Sequence, residues 1–148
     1  MLLTIQTLMT RELYTLQETD TVQDAHALMN RQHVRHIPIL DAGGELCGLL
    51  TQRDLLAVSL STFAEVSHQE RAELETGIPL SEVMIREVVV ATENTDLLEA
   101  AQFLLDTKHG CLPVVDAAGK LCGILTEADF VKLAIQLLKA ANHNETAL

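Results

Sequence analysis

An internal repeat constrains the fold of this 148-residue chain more than any other feature of its sequence. A shift of 75 residues places PILDAGGELCGLLTQRD, residues 38–54, on PVVDAAGKLCGILTEAD, residues 113–129, with ten of 17 positions identical and no gap. The same shift places Met9 on Met84 and Arg11 on Arg86. Two copies of one structural unit therefore account for nearly the whole chain.

The sequence of each copy predicts the element order β-α-β-β-α. The expected fold class is therefore α+β. A short β-prone run, LYTL at 13–16 or VVVA at 88–91, precedes apolar residues at helical spacing. A hairpin with a Gly-containing turn follows, and a second helix begins after it. The pairs Thr21 with Asp24 and Asp96 with Glu99 have the spacing of helix N-terminal caps. A unit of about 50 residues is too small to be stable alone, so the copies are expected to pack on each other.

The repeat also sets the domain boundaries. We expect a first repeat at 1–58, a connecting helix or linker at 59–80, a second repeat at 81–138 and a C-terminal tail at 139–148. The connection contains the only long polar stretch in the sequence, and its charge-rich segment HQERAELE is typical of a solvated helix face.

Charge and composition exclude several classes of function. The net charge of −11 repels phosphate backbones and anionic membranes, and four aromatic residues without a Trp provide no stacking surface for single-stranded bases. We expect neither nucleic acid nor a membrane as partner. Three cysteines inside apolar stretches, with no secretory signal, indicate a reducing compartment and a cytoplasmic protein.

The motif with chemical content is Gly-x-x-Thr-x-x-Asp at the step from the hairpin to the second helix of each copy. It comprises Gly48, Thr51 and Asp54 in copy one, and Gly123, Thr126 and Asp129 in copy two. Gly permits close approach to the backbone, a helix N-terminus with a Thr hydroxyl favours phosphate, and an Asp carboxylate accepts the hydroxyls of a ribose. The alternative interpretation is structural, since Thr-x-x-Asp is also the spacing of an ordinary helix cap.

Other candidate sites are weaker. His33 and His36 have a metal-ligand spacing, but Lys108 and Cys111 occupy the equivalent positions in copy two, so no metal site is expected. Cys47 and Cys122 lie within predicted strands and favour packing over redox chemistry. No nucleophile has a base at a recognisable spacing, so the sequence predicts neither catalytic residues nor an enzyme.

The motifs resemble those of tandem CBS domains, named after cystathionine β-synthase, over about residues 5–138. The resemblance rests on Met9-Thr10-Arg11, on the segments that begin at Pro38 and Pro113, and on both Gly-x-x-Thr-x-x-Asp motifs. It implies two repeats packed through their sheets with pseudo-two-fold symmetry as a Bateman module, commonly a homodimeric disk. It also implies adenosine ligands in clefts between the repeats, with ribose held by the Asp, phosphate by the Thr and the base by the other repeat.

The resemblance assigns two sets of ligand-binding residues, of which the first is expected to bind more strongly. The stronger cleft comprises Thr10, Thr15, Arg35, His36, Ile37, Pro38, Thr126 and Asp129. The weaker cleft comprises Thr51, Asp54, His109, Cys111, Leu112 and Pro113, and departs from the family pattern because Ile85 replaces a polar residue and Gly110-Cys111 replaces Arg35-His36. The charge of Arg35 suits phosphate oxygens, which motivates the ranking.

Two functional hypotheses follow. The first is a regulatory module that senses an adenosine nucleotide (AMP, ADP or ATP), requires no cofactor, forms a homodimer and acts on an unidentified partner protein. The second is a ligand-free dimerisation or docking module in which Thr-x-x-Asp only caps helices. Repetition of Gly, Thr and Asp together in both copies favours the first hypothesis.

Overall fold

The computed structural model describes residues 3–63 and 67–146, with the backbone alone described at 59–63 and 144–146. Positions 1–2, 64–66 and 147–148, which belong to the expected first repeat, connection and tail, lie outside the described residues. The chain divides into two compact units. Unit 1 combines Met1–Leu13 with Val90–Leu148, and unit 2 is Tyr14–Val89.

Helices and strands follow the order predicted from the repeat. In chain order they are α1 (Ile5–Leu8), β1 (Leu16–Gln17), α2 (Val22–Gln32), β2 (His36–Leu40), β3 (Leu46–Thr51), α3 (Gln52–Phe63), α4 (His68–Glu75), a 3₁₀ turn (Leu80–Glu82), β4 (Ala91–Thr92), α5 (Leu97–Asp106), β5 (Cys111–Val115), β6 (Leu121–Thr126) and α6 (Glu127–Thr146). The predicted β-α-β-β-α order is confirmed in both copies.

Each unit contains one three-stranded sheet with the same topology. The strand orders are β1-β2-β3 and β4-β5-β6, in which the first pair is parallel and the hairpin pair antiparallel. The first strands are shorter than predicted. Only Leu16 and Gln17 pair with β2, and only Ala91 and Thr92 pair with β5, so most of the β-prone runs 13–16 and 88–91 lie outside the sheets. An apolar β-prone run indicates extended backbone but does not specify how many residues find a partner strand.

The hairpin turns explain why the two copies share their register. The Asp41 carboxylate accepts hydrogen bonds from the N–H groups of Gly43 and Glu45, and the Asp116 carboxylate accepts the equivalent bonds from Ala118 and Lys120. Gly44 adopts φ +80° and the equivalent Gly119 φ +82°, a region that L-residues rarely enter. The turn residues therefore fix the hairpin on both copies.

The two predicted helix caps have different outcomes. Thr21 and Asp24 form a reciprocal capping box at the start of α2, as predicted. Asp96 occupies the N-cap position of α5, but its side chain makes no capping hydrogen bond. The prediction of an Asp96 cap was therefore wrong in its chemistry, because this exposed carboxylate is solvated instead of turning onto the helix.

The residues at the start of each repeat pack into the core of the unit that contains the sheet of the other repeat. Ile5 and Met9, near the start of the first repeat, lie in the core of unit 1 with Leu104 and Leu125. In unit 2 the positions 75 residues later, Leu80 and Met84, pack against Ile37, Leu50 and Leu55 of copy one. Burial of these apolar side chains therefore ties a distant piece of chain to each sheet.

Backbone hydrogen bonds hold the same two segments against the last strand of each sheet. Thr10 and Ile124 exchange both N–H to carbonyl bonds, each with an N to O distance of 2.9 Å. In unit 2 Ile85 and Leu49 make the same antiparallel bridge, at 2.8 and 3.0 Å. Each bridge lies two residues before the Thr of the Gly-x-x-Thr-x-x-Asp motif.

Candidate ligand-binding site

The two Gly-x-x-Thr-x-x-Asp motifs lie at the predicted strand-to-helix steps. Thr51 ends β3 and Asp54 lies in the first turn of α3, whereas Thr126 ends β6 and Asp129 lies in the first turn of α6. In each unit the Thr immediately precedes the helix, at the N-cap position, and the Asp is the third helical residue. Side chains at these positions reach one another and the first free N–H groups of the helix.

In unit 2, Asp54 retains most of its capacity to accept hydrogen bonds. The Thr51 hydroxyl donates to Asp54 Oδ2 over 2.7 Å and accepts from the Asp54 N–H over 3.2 Å. Within the part of the chain that the structure describes, Asp54 Oδ1 has no hydrogen-bond partner. Thr51 is buried and Asp54 is half-buried, so one carboxylate oxygen of this step remains available.

In unit 1 the carboxylate is more fully engaged. Asp129 Oδ2 accepts hydrogen bonds from the N–H of Thr126 over 2.9 Å and from its hydroxyl over 3.3 Å. The hydroxyl of Thr10 donates to Asp129 Oδ1 over 2.9 Å. Asp129 is 4% exposed. The structure thus brings together three residues of the stronger predicted set, Thr10, Thr126 and Asp129, although Thr10 and Asp129 are 119 positions apart.

Methionine side chains account for the glycine of each motif. A Cβ at position 48 would lie 2.3 Å from Met84 Sδ, and a Cβ at position 123 would lie 2.4 Å from Met9 Sδ. Both glycines therefore make room for a buried methionine within their own unit, which is the close-packing role of a strand glycine. Sequence reasoning did not identify these methionines as partners, although the 75-residue shift that aligns both Met and Gly was the available signal.

The remaining predicted residues lie on the hairpins and the segments that precede them. In unit 2, Thr15 is half-buried before β1, Arg35 is exposed before β2, and His36, Ile37 and Pro38 begin β2. In unit 1, His109 and Gly110 precede β5, and Cys111, Leu112 and Pro113 begin it as buried residues. Their role in ligand binding stays a prediction.

Burial and nearby carboxylates suppress the acidity of the three thiols. Burial raises the pKa of Cys111 to about 12. Burial also raises the pKa of Cys47 and of Cys122, with further increases from the carboxylates of Glu18 and Glu93 respectively. A raised thiol pKa leaves little thiolate at neutral pH, so these cysteines are poor nucleophiles.

His33 has a structural explanation that its spacing to His36 did not reveal. It is the C-cap residue of α2 and adopts the left-handed conformation, with φ 55°. Helices commonly end in this way. Within residues 3–63 and 67–146, no three His, Cys, Asp or Glu side chains are grouped so that they could hold a metal ion.

None of the helices within the described residues combines the length and apolar character needed to span a membrane.

Comparisons with known proteins agree with the repeat. The family model of the CBS domain matches residues 5–61 and again 80–135. The chloroplastic CBS domain-containing protein CBSX1 of Arabidopsis thaliana is 31% identical over 150 residues, which cover 90% of this chain and 64% of that protein. This chain therefore spans less than two thirds of the length of that relative.

Two solved structures have the same fold over nearly their whole length. A Vibrio cholerae protein named for acetoin utilization (AcuB) is 39% identical, with a TM-score of 0.76 over 97% of this chain and 98% of its own. CBSX2 of Arabidopsis thaliana, crystallised in complex with AMP, is 33% identical, with a TM-score of 0.74 over 90% of this chain and 97% of its own. Since both copies match the family model and the fold matches these structures, this chain belongs to the CBS domain family as a protein with two CBS repeats.

Proposed function

We propose that this protein is a regulatory module that binds an adenosine nucleotide (AMP, ADP or ATP) and transmits its bound state to a partner protein. The observation that carries the proposal is the half-buried carboxylate of Asp54, one oxygen of which accepts no hydrogen bond from the described residues and lies beside the N-terminus of α3. A free carboxylate oxygen accepts ribose hydroxyls, and the first N–H groups of a helix attract phosphate. The complex of the relative CBSX2 with AMP supports the same class of ligand.

The proposal includes both sets of residues that the sequence analysis assigned to the ligand. Ribose and phosphate are assigned to Asp54 with Thr51 and to Asp129 with Thr126. The remaining contacts of the set that contains Asp129 are assigned to Thr10, Thr15, Arg35, His36, Ile37 and Pro38. Those of the set that contains Asp54 are assigned to His109, Cys111, Leu112 and Pro113. Ligand binding changes a partner only if the two conformations of the module differ in affinity for the ligand.

We further propose a homodimer, supported by apolar side chains on the outer faces of α3 and α6. Leu56, Val131, Leu137 and Leu138 are each at least half exposed. Leu55 and Phe130, two further apolar residues of these helices, are buried and half-buried respectively. Exposed apolar side chains of this kind are typical of association surfaces. Light scattering tests the dimer, and a monomer mass at micromolar concentration would contradict it.

The proposed location of this protein is the cytoplasm, where its cysteines stay reduced. Cys47, Cys111 and Cys122 are all free thiols in the structure. It carries out no catalysis of its own, and its effects pass through the protein that it regulates.

Thermal unfolding in the presence of AMP, ADP or ATP tests the proposed function. A nucleotide at 100 times its Kd stabilises the folded state by about 2.7 kcal/mol, which raises Tm measurably. GMP and inorganic phosphate serve as matched controls for the base and for the phosphate alone. If none of the adenine nucleotides raises Tm above these controls, the proposed function is wrong.

The ligand-free docking module remains the second candidate, because one observation favours it. Both Thr-x-x-Asp steps already make helix-cap contacts, with the Asp54 N–H bonded to Thr51 and the Thr126 N–H bonded to Asp129. If the motifs only cap helices, Asp54→Ala and Asp129→Ala lower the free energy of unfolding without changing any response to nucleotide.

A further inference from the structure

We infer that Thr10 sets the hydroxyl selectivity of the unit 1 site, so that Asp54 accepts a ribose diol whereas Asp129 accepts a single hydroxyl. The inference rests on the proposed nucleotide-binding function and concerns which ribose each carboxylate distinguishes. Its basis is a difference between the two Thr-x-x-Asp motifs, which are equivalent under the 75-residue shift. Thr10 donates a hydroxyl hydrogen bond to the motif of unit 1, whereas Ile85, at the equivalent position of unit 2, has no hydroxyl to donate.

The backbone places residues 10 and 85 at the same point of their units. Each forms a two-hydrogen-bond antiparallel bridge with the last strand of its sheet, Thr10 with Ile124 and Ile85 with Leu49. The bridged residue lies two positions before the motif Thr in both strands, and side chains two positions apart share a face of a strand. Thr10 therefore reaches Asp129, and the side chain of Ile85 has no hydroxyl to offer Asp54.

A count of hydrogen bonds shows how the acceptor capacity differs. An ionised carboxylate has about four lone-pair sites. Among the described residues, Asp129 accepts three hydrogen bonds, from the Thr10 hydroxyl and from the N–H and hydroxyl of Thr126. Roughly one acceptor site remains, which suffices for one ribose hydroxyl.

The equivalent count for Asp54 leaves room for two hydroxyls. Its only side-chain hydrogen bond among the described residues comes from Thr51, to Oδ2. Roughly three acceptor sites remain, including both on Oδ1. Asp54 is half-buried whereas Asp129 is 4% exposed, so the Asp54 carboxylate is also the more accessible of the two. The unit 2 site is therefore selective for the ribose diol, and the unit 1 site tolerates a ribose that lacks one hydroxyl.

Titration calorimetry with AMP and 2′-deoxy-AMP, on variants that each retain one carboxylate, tests the inference. Asp129→Ala leaves the Asp54 site, which should prefer AMP by about tenfold to a hundredfold, the effect of one hydrogen bond to a charged group. Asp54→Ala leaves the Asp129 site, which should bind the two nucleotides with affinities within about threefold of each other.

Substitutions at residues 10 and 85 separate the role of the Thr10 hydroxyl from its backbone contacts. Thr10→Val in the Asp54→Ala background frees Asp129 Oδ1 and should create an AMP preference of about tenfold or more. Thr10→Ser keeps the hydroxyl and should leave the affinity ratio unchanged. Ile85→Thr in the Asp129→Ala background is the reciprocal change and should reduce the AMP preference. Thermal unfolding of each variant confirms that it is folded.

The outcomes distinguish this inference from the proposed function. If the wild-type protein binds AMP but Thr10→Val leaves the affinity ratio of the Asp129 site unchanged, the inference is wrong and the proposed function stands. If the single variant Asp54→Ala strongly prefers AMP over 2′-deoxy-AMP, or binds no AMP at all, the inference is also overturned. If the wild-type protein binds no AMP, the proposed function fails, and the inference fails with it.

Discussion

Met84 packs against the backbone of Gly48 so closely that a Cβ at position 48 would lie 2.3 Å from the methionine sulfur. Met9 and Gly123 repeat this contact in unit 1, at 2.4 Å. Both methionines are 7% exposed, so neither can move away without disturbing other buried side chains. The glycines of the two motifs are therefore required by packing, whatever the motifs bind.

The first prediction concerns this contact. Gly48→Ala should lower the free energy of unfolding by about 1–3 kcal/mol, because the new methyl group overpacks the space that Met84 Sδ occupies. Met84→Ala should also destabilise, because it leaves a cavity. The double variant should be more stable than the sum of the two changes implies, since each relieves the strain or void of the other. Urea denaturation measures all three variants.

Gly123→Ala and Met9→Ala provide the matched set in unit 1. Gly119→Ala is a contrasting control, because nothing lies within 4 Å of a Cβ there and its cost comes from φ +82° alone. Met9→Ala should therefore leave the cost of Gly119→Ala unchanged. Strict additivity of Gly48→Ala and Met84→Ala would contradict the packing role.

The second prediction uses the raised pKa of Cys111. The folded-state pKa of about 12 exceeds the ordinary value of 9.0, so the folded protein holds this thiol proton more tightly than the unfolded chain. The corresponding stability is complete below about pH 8.5 and is lost as the pH rises toward 12, by up to about 1.4 kcal/mol per pH unit. Denaturation of the wild type and of Cys111→Ala from pH 8 to pH 11 should show their stabilities converging.

Alkylation provides a second measurement of the same thiol. Iodoacetamide at pH 8.5 should modify Cys111 more slowly than Cys47 or Cys122, because Cys111 is 2% exposed and the other two are only partly buried. Mass spectrometry of the digested protein gives the three rates. Faster alkylation of Cys111 than of Cys47 would contradict the burial of Cys111 in this structure.

The third prediction contrasts the two helix caps. Thr21→Ala removes one half of the capping box at α2 and should cost about 1 kcal/mol of stability. Asp96→Ala removes a side chain that caps nothing at α5 and should change stability by less than about 0.5 kcal/mol. Thermal denaturation of both variants compares the caps within one protein. Equal costs would contradict the difference between them.

The fourth prediction concerns the contact between α2 and α4. His26 Nε2 lies 3.3 Å from Glu75 Oε1, and the Glu75 side chain is 5% exposed. His26→Ala should destabilise the protein by about 1–3 kcal/mol, because a buried carboxylate loses a partner. Asn30→Ala, an exposed change on the same helix, serves as control and should remain within about 0.5 kcal/mol of wild type.

Local chemistry explains which parts of the fold could be predicted. The turn residues Asp41 and Gly44, with their repeats Asp116 and Gly119, specify both hairpins within a few positions, so the hairpins and the helices that follow them were predicted correctly. The ends of β1 and β4 depend on which residues meet a distant strand. Local propensity carries no information on that pairing.

The site shows the same division between local and distant information. The Thr51 to Asp54 contact follows from helix-cap spacing and could be expected from four consecutive residues. The Thr10 to Asp129 hydrogen bond crosses 119 positions, so spacing could not predict it; only the family resemblance placed the two residues in one set. Asp96 shows the reverse case, in which correct local spacing did not lead to the capping bond.

The exchange of leading segments between the copies has a consequence for any attempt to divide this protein. A fragment that ends after copy one would carry β3 and Gly48 but not Leu80, Met84 or Ile85, and would leave a gap in its core. A fragment that begins at Leu80 would retain Leu80, Met84 and Ile85 without the sheet that they cover, and the sheet of copy two would lack Ile5 and Met9. The repeat visible in the sequence is therefore the unit that is duplicated, whereas each folding unit contains residues from both halves of the chain.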